Sequence, residues 1–191
     1  MCIRETPVRM QFFGDSFDVV KRFLLQTIEP DAAWVAFPMF TDRATAASVR
    51  AFESFLGVNV VGAALFTEST NRADHFTALA RHRNVFLDPD TGIKLKKAKG
   101  AESVKYVFAS ELVALCQESP ERLLVVFDQS VPRGSEKSAI QQKLRHFSDA
   151  GLHGFAYLSH ACFVTLSATK DRCRMARANL LASGLPQTRV I

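Results

Sequence analysis

The chain has 191 residues, 48% of them hydrophobic and 23% charged, with a formal net charge of +5. This is length enough to bury a core without disulfide or metal staples, and no apolar run approaches the ~20 residues that a membrane span needs. No continuous apolar stretch follows Met1-Cys2-Ile3-Arg4-Glu5, so no secretory leader is expected and the expected setting is cytoplasmic, with no membrane partner.

The first eleven residues carry no clear period, and Pro7 argues against a helix there. Gly14-Asp15-Ser16 reads as a helix entry, with Asp15 or Ser16 capping the first free amides. Phe17, Val20, Leu24 and Ile28 then give one apolar face to a helix over 17–28, which Pro30 ends. Ala33-Trp34-Val35-Ala36-Phe37 is a short continuous apolar run, the pattern of a strand buried on both faces. A second helix is expected over 44–56 with Gly57 as its C-terminal cap. A strand follows over 58–66, then a helix over 72–82 and a buried strand over 84–88.

Residues 90–105 read as a long basic loop, which in a compact domain usually carries function. Ser110-Glu111 opens a further helix, Leu123–Phe127 forms the next buried strand and ends in Asp128, and 136–149 is an amphipathic helix on Ile140, Leu144 and Phe147. The runs 155–158 and 162–166 are separated by only Ser159-His160-Ala161, too short a gap for a crossover, so they form an antiparallel hairpin. A basic helix over 169–182 stops at Gly184. Strands alternating with helices and closing in a hairpin call for an α/β, three-layer αβα fold. Its sheet is mostly parallel, with a C-terminal antiparallel hairpin, in a single domain over 1–191.

The four cysteines, Cys2, Cys116, Cys162 and Cys173, form no CxxC pair, and the five histidines form no HxxxH or HExxH. Reduced structural thiols and no zinc site are expected. The stretch with most chemistry is Val85-Phe86-Leu87-Asp88-Pro89-Asp90-Thr91-Gly92, a buried strand that stops at an acidic turn. In open α/β sheets ligands collect at the carboxyl ends of the strands. Asp88, Asp90 and Asp128 would converge if their strands are neighbours, and three carboxylates there would hold Mg²⁺ through oxygen and support phosphodiester cleavage. The alternative is that Asp88 and Asp90 only shape the turn. Lys94, Lys96, Lys97, Lys99 and Lys105 would hold the phosphates of a nucleic acid, with Tyr106 stacking a base, or would be a solvated surface. Asp15, Asp18 and Lys21 share a helix face, where a cap and a surface ion pair explain them without function.

The order of elements resembles a Rossmann-type methyltransferase. Leu87-Asp88-Pro89-Asp90 resembles the Asp/Asn-Pro-Pro-Tyr/Phe motif at the end of the fourth strand of that fold, and residues 155–166 resemble its closing hairpin. Gly14-Asp15-Ser16-Phe17-Asp18-Val19-Val20-Lys21 is similar to the helix entry of bacterial large-subunit ribosomal-RNA adenine-N6 methyltransferases. Phe86-x-Asp88-Pro89-Asp90-x-Gly92, with Lys99, Gly100, Ser103, Lys105 and Tyr106 after it, is similar to a group of uncharacterised bacterial proteins. The resemblance implies a Rossmann-like fold and S-adenosylmethionine held near Asp15, Lys21, Phe37 and Pro38. It also implies Asp88 holding an acceptor amine, shaped by Pro89 and Asp90. The chain departs from the pattern at two places. No glycine follows Phe37 in Pro38-Met39-Phe40-Thr41-Asp42, and Asp90 and Thr91 stand where the motif has its second proline and aromatic.

Three functions are therefore weighed. The first is a methyltransferase-like protein acting on or binding nucleic acid. The second is a metal-dependent nuclease using Asp88, Asp90 and Asp128. The third is a non-catalytic interaction module with an apolar patch at Phe12, Phe13 and Phe40.

Overall fold

A computed structural model of the chain describes residues 14–41 and 44–191. Cys2, Phe12, Phe13 and Asp42, and the reading made of residues 1–11, lie outside the described residues. Three largely apolar runs build the centre of the sheet: β1 (Trp34–Pro38), β3 (Asn84–Asp88) and β6 (Leu123–Asp128). A two-residue strand β2 (Asn59–Val60) pairs beside β1, and β7 (His153–Leu158) and β8 (Cys162–Ser167) complete a six-stranded sheet. The order is β2-β1-β3-β6-β8-β7. β2, β1, β3 and β6 pair in parallel, whereas β8 is antiparallel to both β6 and β7. Five strands therefore point one way and β8 alone runs back between two of them. The fold is α/β with a mostly parallel sheet flanked by helices, consistent with a Rossmann-like arrangement.

Alternation along each strand divides the side chains between two cores. Val35, Phe37, Val85, Leu87, Leu124 and Val126 face the helices α3 (Arg72–Thr77), α4 (Ala109–Glu118) and α5 (Glu136–Asp149). Trp34, Ala36, Phe86, Leu123, Val125 and Phe127 face α1 (Ser16–Ile28), α2 (Ala46–Leu56) and α6 (Lys170–Ala182). Helix ends follow the local chemistry. Asp15 caps α1 by accepting from Phe17 N and Asp18 N, Thr45 and Ser48 form a capping box on α2, and Gly57 closes α2 in the left-handed region at φ 71°.

Three expectations are corrected. The strand expected over 58–66 shrinks to β2, because Gly62, at φ 67°, packs against the Phe37 ring so closely that a Cβ there would sit 2.2 Å from it. The chain leaves the sheet at that point, and Phe66 returns to the core from an irregular segment. The helix expected over 72–82 ends at Thr77. The buried Arg122 guanidinium donates to the carbonyls of Leu79, Ala80 and His82, which holds that stretch as tight turns. The long loop over 90–105 is instead a built unit: β4 (Gly92–Lys94) pairs in parallel with β5 (Tyr106–Phe108), joined through a 3₁₀ turn at Gly100–Lys105.

Candidate functional site at the carboxyl edge of the sheet

The register decides what the strand-end aspartates can do together. Leu87 lies opposite Val126, which sets Asp88 opposite Phe127 and leaves Asp128 one residue further along. Because successive side chains on a strand point to opposite faces, Asp88 turns toward α1 and Asp128 toward α5. The sheet itself stands between the two carboxylates. Asp90 is exposed on the turn, where it accepts from the Thr91 hydroxyl at 3.3 Å. The expected convergence of Asp88, Asp90 and Asp128 on a Mg²⁺ ion is corrected accordingly. Among the described residues no group of three or more His, Cys, Asp or Glu is gathered to hold a metal ion.

Asp88 and Asp128 instead each meet a different lysine. On the α1 face, Lys21 Nζ donates to Asp18 Oδ1 at 3.1 Å and to Asp88 Oδ2 at 2.9 Å, and lies 4.6 Å from the centre of the Phe127 ring. Asp18 Oδ2 also accepts from Gly14 N at 3.0 Å. Asp18 and Lys21 are each only 7% exposed, so the surface ion pair expected there is a buried one. Asp15 makes its hydrogen bonds as the cap of α1. Burial pushes the Asp88 carboxyl above its usual range, against the pull of Lys21 and with the push of Asp18 and Asp15. Burial acts to lower Lys21, but the carboxylates of Asp88 and Asp18 outweigh it and hold the ammonium above its usual range. The burial of the Asp88 carboxyl sets the first direction, and the two carboxylates around one ammonium set the second.

On the α5 face the arrangement is tighter. Lys143 Nζ donates to Asp128 Oδ2 at 2.5 Å, to Ser130 Oγ at 2.7 Å and to the Ile93 carbonyl at 2.9 Å, so all three ammonium protons are placed. Asp128 Oδ1 accepts from the Ser130 hydroxyl at 2.6 Å, from Ser130 N at 3.0 Å and from Ile93 N at 3.2 Å. Gly92 is required beside it: its φ is 136°, and a Cβ would lie 2.1 Å from Asp128 Oδ1. The cluster clamps β4 to β6 and α5. Ser130 beside a lysine resembles a nucleophile with its base, but Asp128 takes both the hydroxyl and the ammonium.

No protein-family model, no curated protein and no solved structure matches this chain.

The residues expected around S-adenosylmethionine are also accounted for. Phe37 is fully buried, stacked on Phe76 at 5.3 Å and edge-on to His75 at 4.9 Å, and Pro38 is buried beside it. Met39 and Phe66 are 2% and 1% exposed in the same core. The described end of β1 thus presents packed side chains where close backbone approach to a cofactor needs glycine, and the described residues do not fit that group. Phe40 is half-buried, and its carbonyl accepts from Phe66 N at 2.7 Å.

The lysines divide in two. Lys94 pairs with Glu102 and lies 4.8 Å from the centre of the Tyr106 ring, so Tyr106 is occupied by packing. Lys96, Lys97, Lys99 and Lys105 are exposed, and no ion pair engages them among the described residues. Their segment is anchored at this edge by Thr91 N donating to the Lys105 carbonyl at 2.8 Å. Arg72 holds it from beneath, reaching the carbonyls of Ser103 and Tyr106 while pairing with Glu111.

Sequence reasoning missed Lys143, Arg72 and Arg122. Lys143 had a signal, since it lies three residues after Ile140 and four before Phe147, inside the apolar stripe of α5. A lysine on such a stripe needs a buried acceptor. Arg72 and Arg122 carried none, because most of their partners, the Glu111 carboxylate and carbonyls for Arg72 and carbonyls for Arg122, lie on segments distant in sequence.

Proposed function

We propose that this chain is a methyltransferase-like, Rossmann-like α/β protein that binds nucleic acid at the carboxyl edge of its sheet and does so without transferring a methyl group. The observation that carries the binding is the set of four exposed lysines, Lys96, Lys97, Lys99 and Lys105, without ion-pair partners among the described residues and on a segment pinned to the acidic turn. Phosphates supply most of the affinity of nucleic-acid binding, and unpaired lysines on a fixed backbone meet them at little cost in desolvation. The methyltransferase-like ancestry is supported by β8 running back between β6 and β7, the counterpart of the closing hairpin, and by the Asp88-Pro89-Asp90 turn on a central strand. Against transfer stand Lys21, which occupies one of the two Asp88 oxygens, and the packed end of β1.

The test is fluorescence anisotropy with labelled single-stranded and duplex DNA and RNA over a salt series. Replacing Lys96, Lys97, Lys99 and Lys105 with Gln should weaken binding. On duplex DNA the log-log salt slope should flatten by about 0.9 for each phosphate that the variant no longer neutralises. Absence of binding at low salt, or an unchanged slope in the variant, sinks the proposal. A thermal shift specific to S-adenosylmethionine would overturn its second half and restore transfer.

A further inference from the structure

The opposite end of the sheet carries a cavity of about 420 Å³, lined by Glu29, Ala32, Ala33, Arg81, His82, Arg83, Asn84 and Arg172. It opens where β1 and β3 begin, far along the strands from Asp88. Its lining sets three guanidinium groups against the one carboxylate of Glu29.

The walls are built rather than draped. Arg172 is fixed by Glu29 at 2.8 Å and by Asn84 Oδ1 at 2.7 Å, and its side chain is 15% exposed. Its Nε is buried without a hydrogen-bond partner. On the other wall, Arg122, 0% exposed, donates to the carbonyls of Leu79, Ala80, His82 and Leu115. That guanidinium, with the Glu118 carboxylate 3.9 Å away, sets the backbone of the turn from which Arg81, His82 and Arg83 project. Arg81 is exposed and has no ion-pair partner among the described residues, while Arg83 makes only a 3.4 Å contact to Glu121, with both side chains more than half exposed. Such a contact competes weakly with an incoming anion.

We infer that this cavity binds a phosphomonoester of a small metabolite, of about the size of a nucleoside monophosphate. Guanidinium forks match phosphate oxygens in pairs, so Arg81 and Arg83 would take the dianion, while Arg172, already paired with Glu29, holds the wall in place. The volume lies in the ~300–1,000 Å³ range of small-molecule sites, more than a bare phosphate fills. Ala32 and Ala33 leave one side without bulk, where the uncharged part of the ligand would rest.

The experiment is isothermal titration of the intact chain with AMP, adenosine and inorganic phosphate, repeated on Arg81→Gln/Arg83→Gln. Both substituted side chains are exposed, so the variant should fold, and circular dichroism checks that it has. Binding of AMP with inorganic phosphate weaker and adenosine silent, and at least tenfold loss of AMP affinity in the variant, is the expected result. Absence of AMP binding at millimolar concentration, or equal affinity in the variant, overturns the inference. Binding of a 5′-phosphorylated oligonucleotide but not AMP also overturns it and makes the site a nucleic-acid end pocket. The lysine variant used for the carboxyl edge should bind AMP as the wild type does, which keeps the two proposals separable.

Discussion

The two lysine–aspartate pairs at the carboxyl edge sit one strand apart, yet the sheet treats them differently. Lys143 and Asp128 are closed: the carboxylate is 0% exposed, the ammonium has three acceptors, and two backbone segments are tied in through Ile93 and Ser130. Lys21 is shared between Asp18 and Asp88, with an aromatic ring as its remaining neighbour, and the Asp88 side chain keeps 14% of its surface. A saturated pair is scaffold, since moving either partner strands a buried charge. A cation divided between two carboxylates, one of them near solvent, has more room to change state. The lesson is that an aspartate at a strand end is no mark of function until its partners have been counted.

The largest effect separates the pairs directly. Lys143→Ala leaves Asp128 without its cation and should destabilise the fold by ~3–5 kcal/mol, read from the midpoint of urea unfolding. Lys21→Met should cost less, about 1–3 kcal/mol, because Asp88 can protonate or reach water. Equal losses would break the distinction.

The pH dependence sharpens it. The Asp88 carboxyl in the folded chain lies above its ordinary 3.8, so the folded state holds this proton more tightly than the unfolded chain. Its contribution to stability therefore falls as pH rises from about 3.8 through the folded value. Removing Lys21 raises that folded value further. The Lys21→Met deficit should accordingly shrink as the pH is lowered through this window, and a deficit constant from pH 4 to 7 would count against the shared-cation picture.

Thiol labelling reads the same contrast locally. Cys162 pairs in register with Asp128 and is 1% exposed, so Lys143→Ala should speed its labelling well beyond what Lys21→Met does. Burial pushes the Cys116, Cys162 and Cys173 thiols up to about 12 from 9.0. Native protein should thus react at no more than one of its four cysteines near pH 8, and all four should react in denaturant. With the folded values raised, stability should fall as pH climbs from about 9 toward 12, since only the unfolded chain releases those protons. Above about 10.5 Lys21 adds to this loss, because its stabilising charge persists only until pH passes its raised folded value.

Smaller again is Phe127→Leu, which removes the ring beneath Lys21 and should cost about 1–1.5 kcal/mol with little effect on Cys162 labelling. The smallest change in stability, within about 0.5 kcal/mol, is expected of the substitutions at Lys96, Lys97, Lys99 and Lys105.

Most of the framework was legible in the amino-acid sequence. The apolar runs at 33–37, 84–88 and 123–127 became β1, β3 and β6, and the periodic stretch 136–149 became α5 with the same ends. Ser159-His160-Ala161 was too short to be anything but a hairpin turn, and the hairpin is there. These readings rest on local facts: side-chain period, caps, and how far a short linker reaches. The misreadings share a cause as well. The run 58–66 failed as a strand because Gly62 meets Phe37, and 78–82 failed as a helix because Arg122 takes its carbonyls.

What the sequence by itself determined was the central strands, the long helices around them, and that acidic residues end two of those strands. Only the tertiary structure decided that Asp88 and Asp128 part company. Their facing depends on which strands are neighbours and in what register, and a one-residue offset across the β3–β6 ladder sends one side chain to α1 and the other to α5. The same non-local placement joined Lys21 to Asp88 across 67 residues and set Arg81, Arg83 and Arg172 around one cavity. Period and propensity act over a few neighbours, whereas a site is made by side chains that the folded sheet brings together.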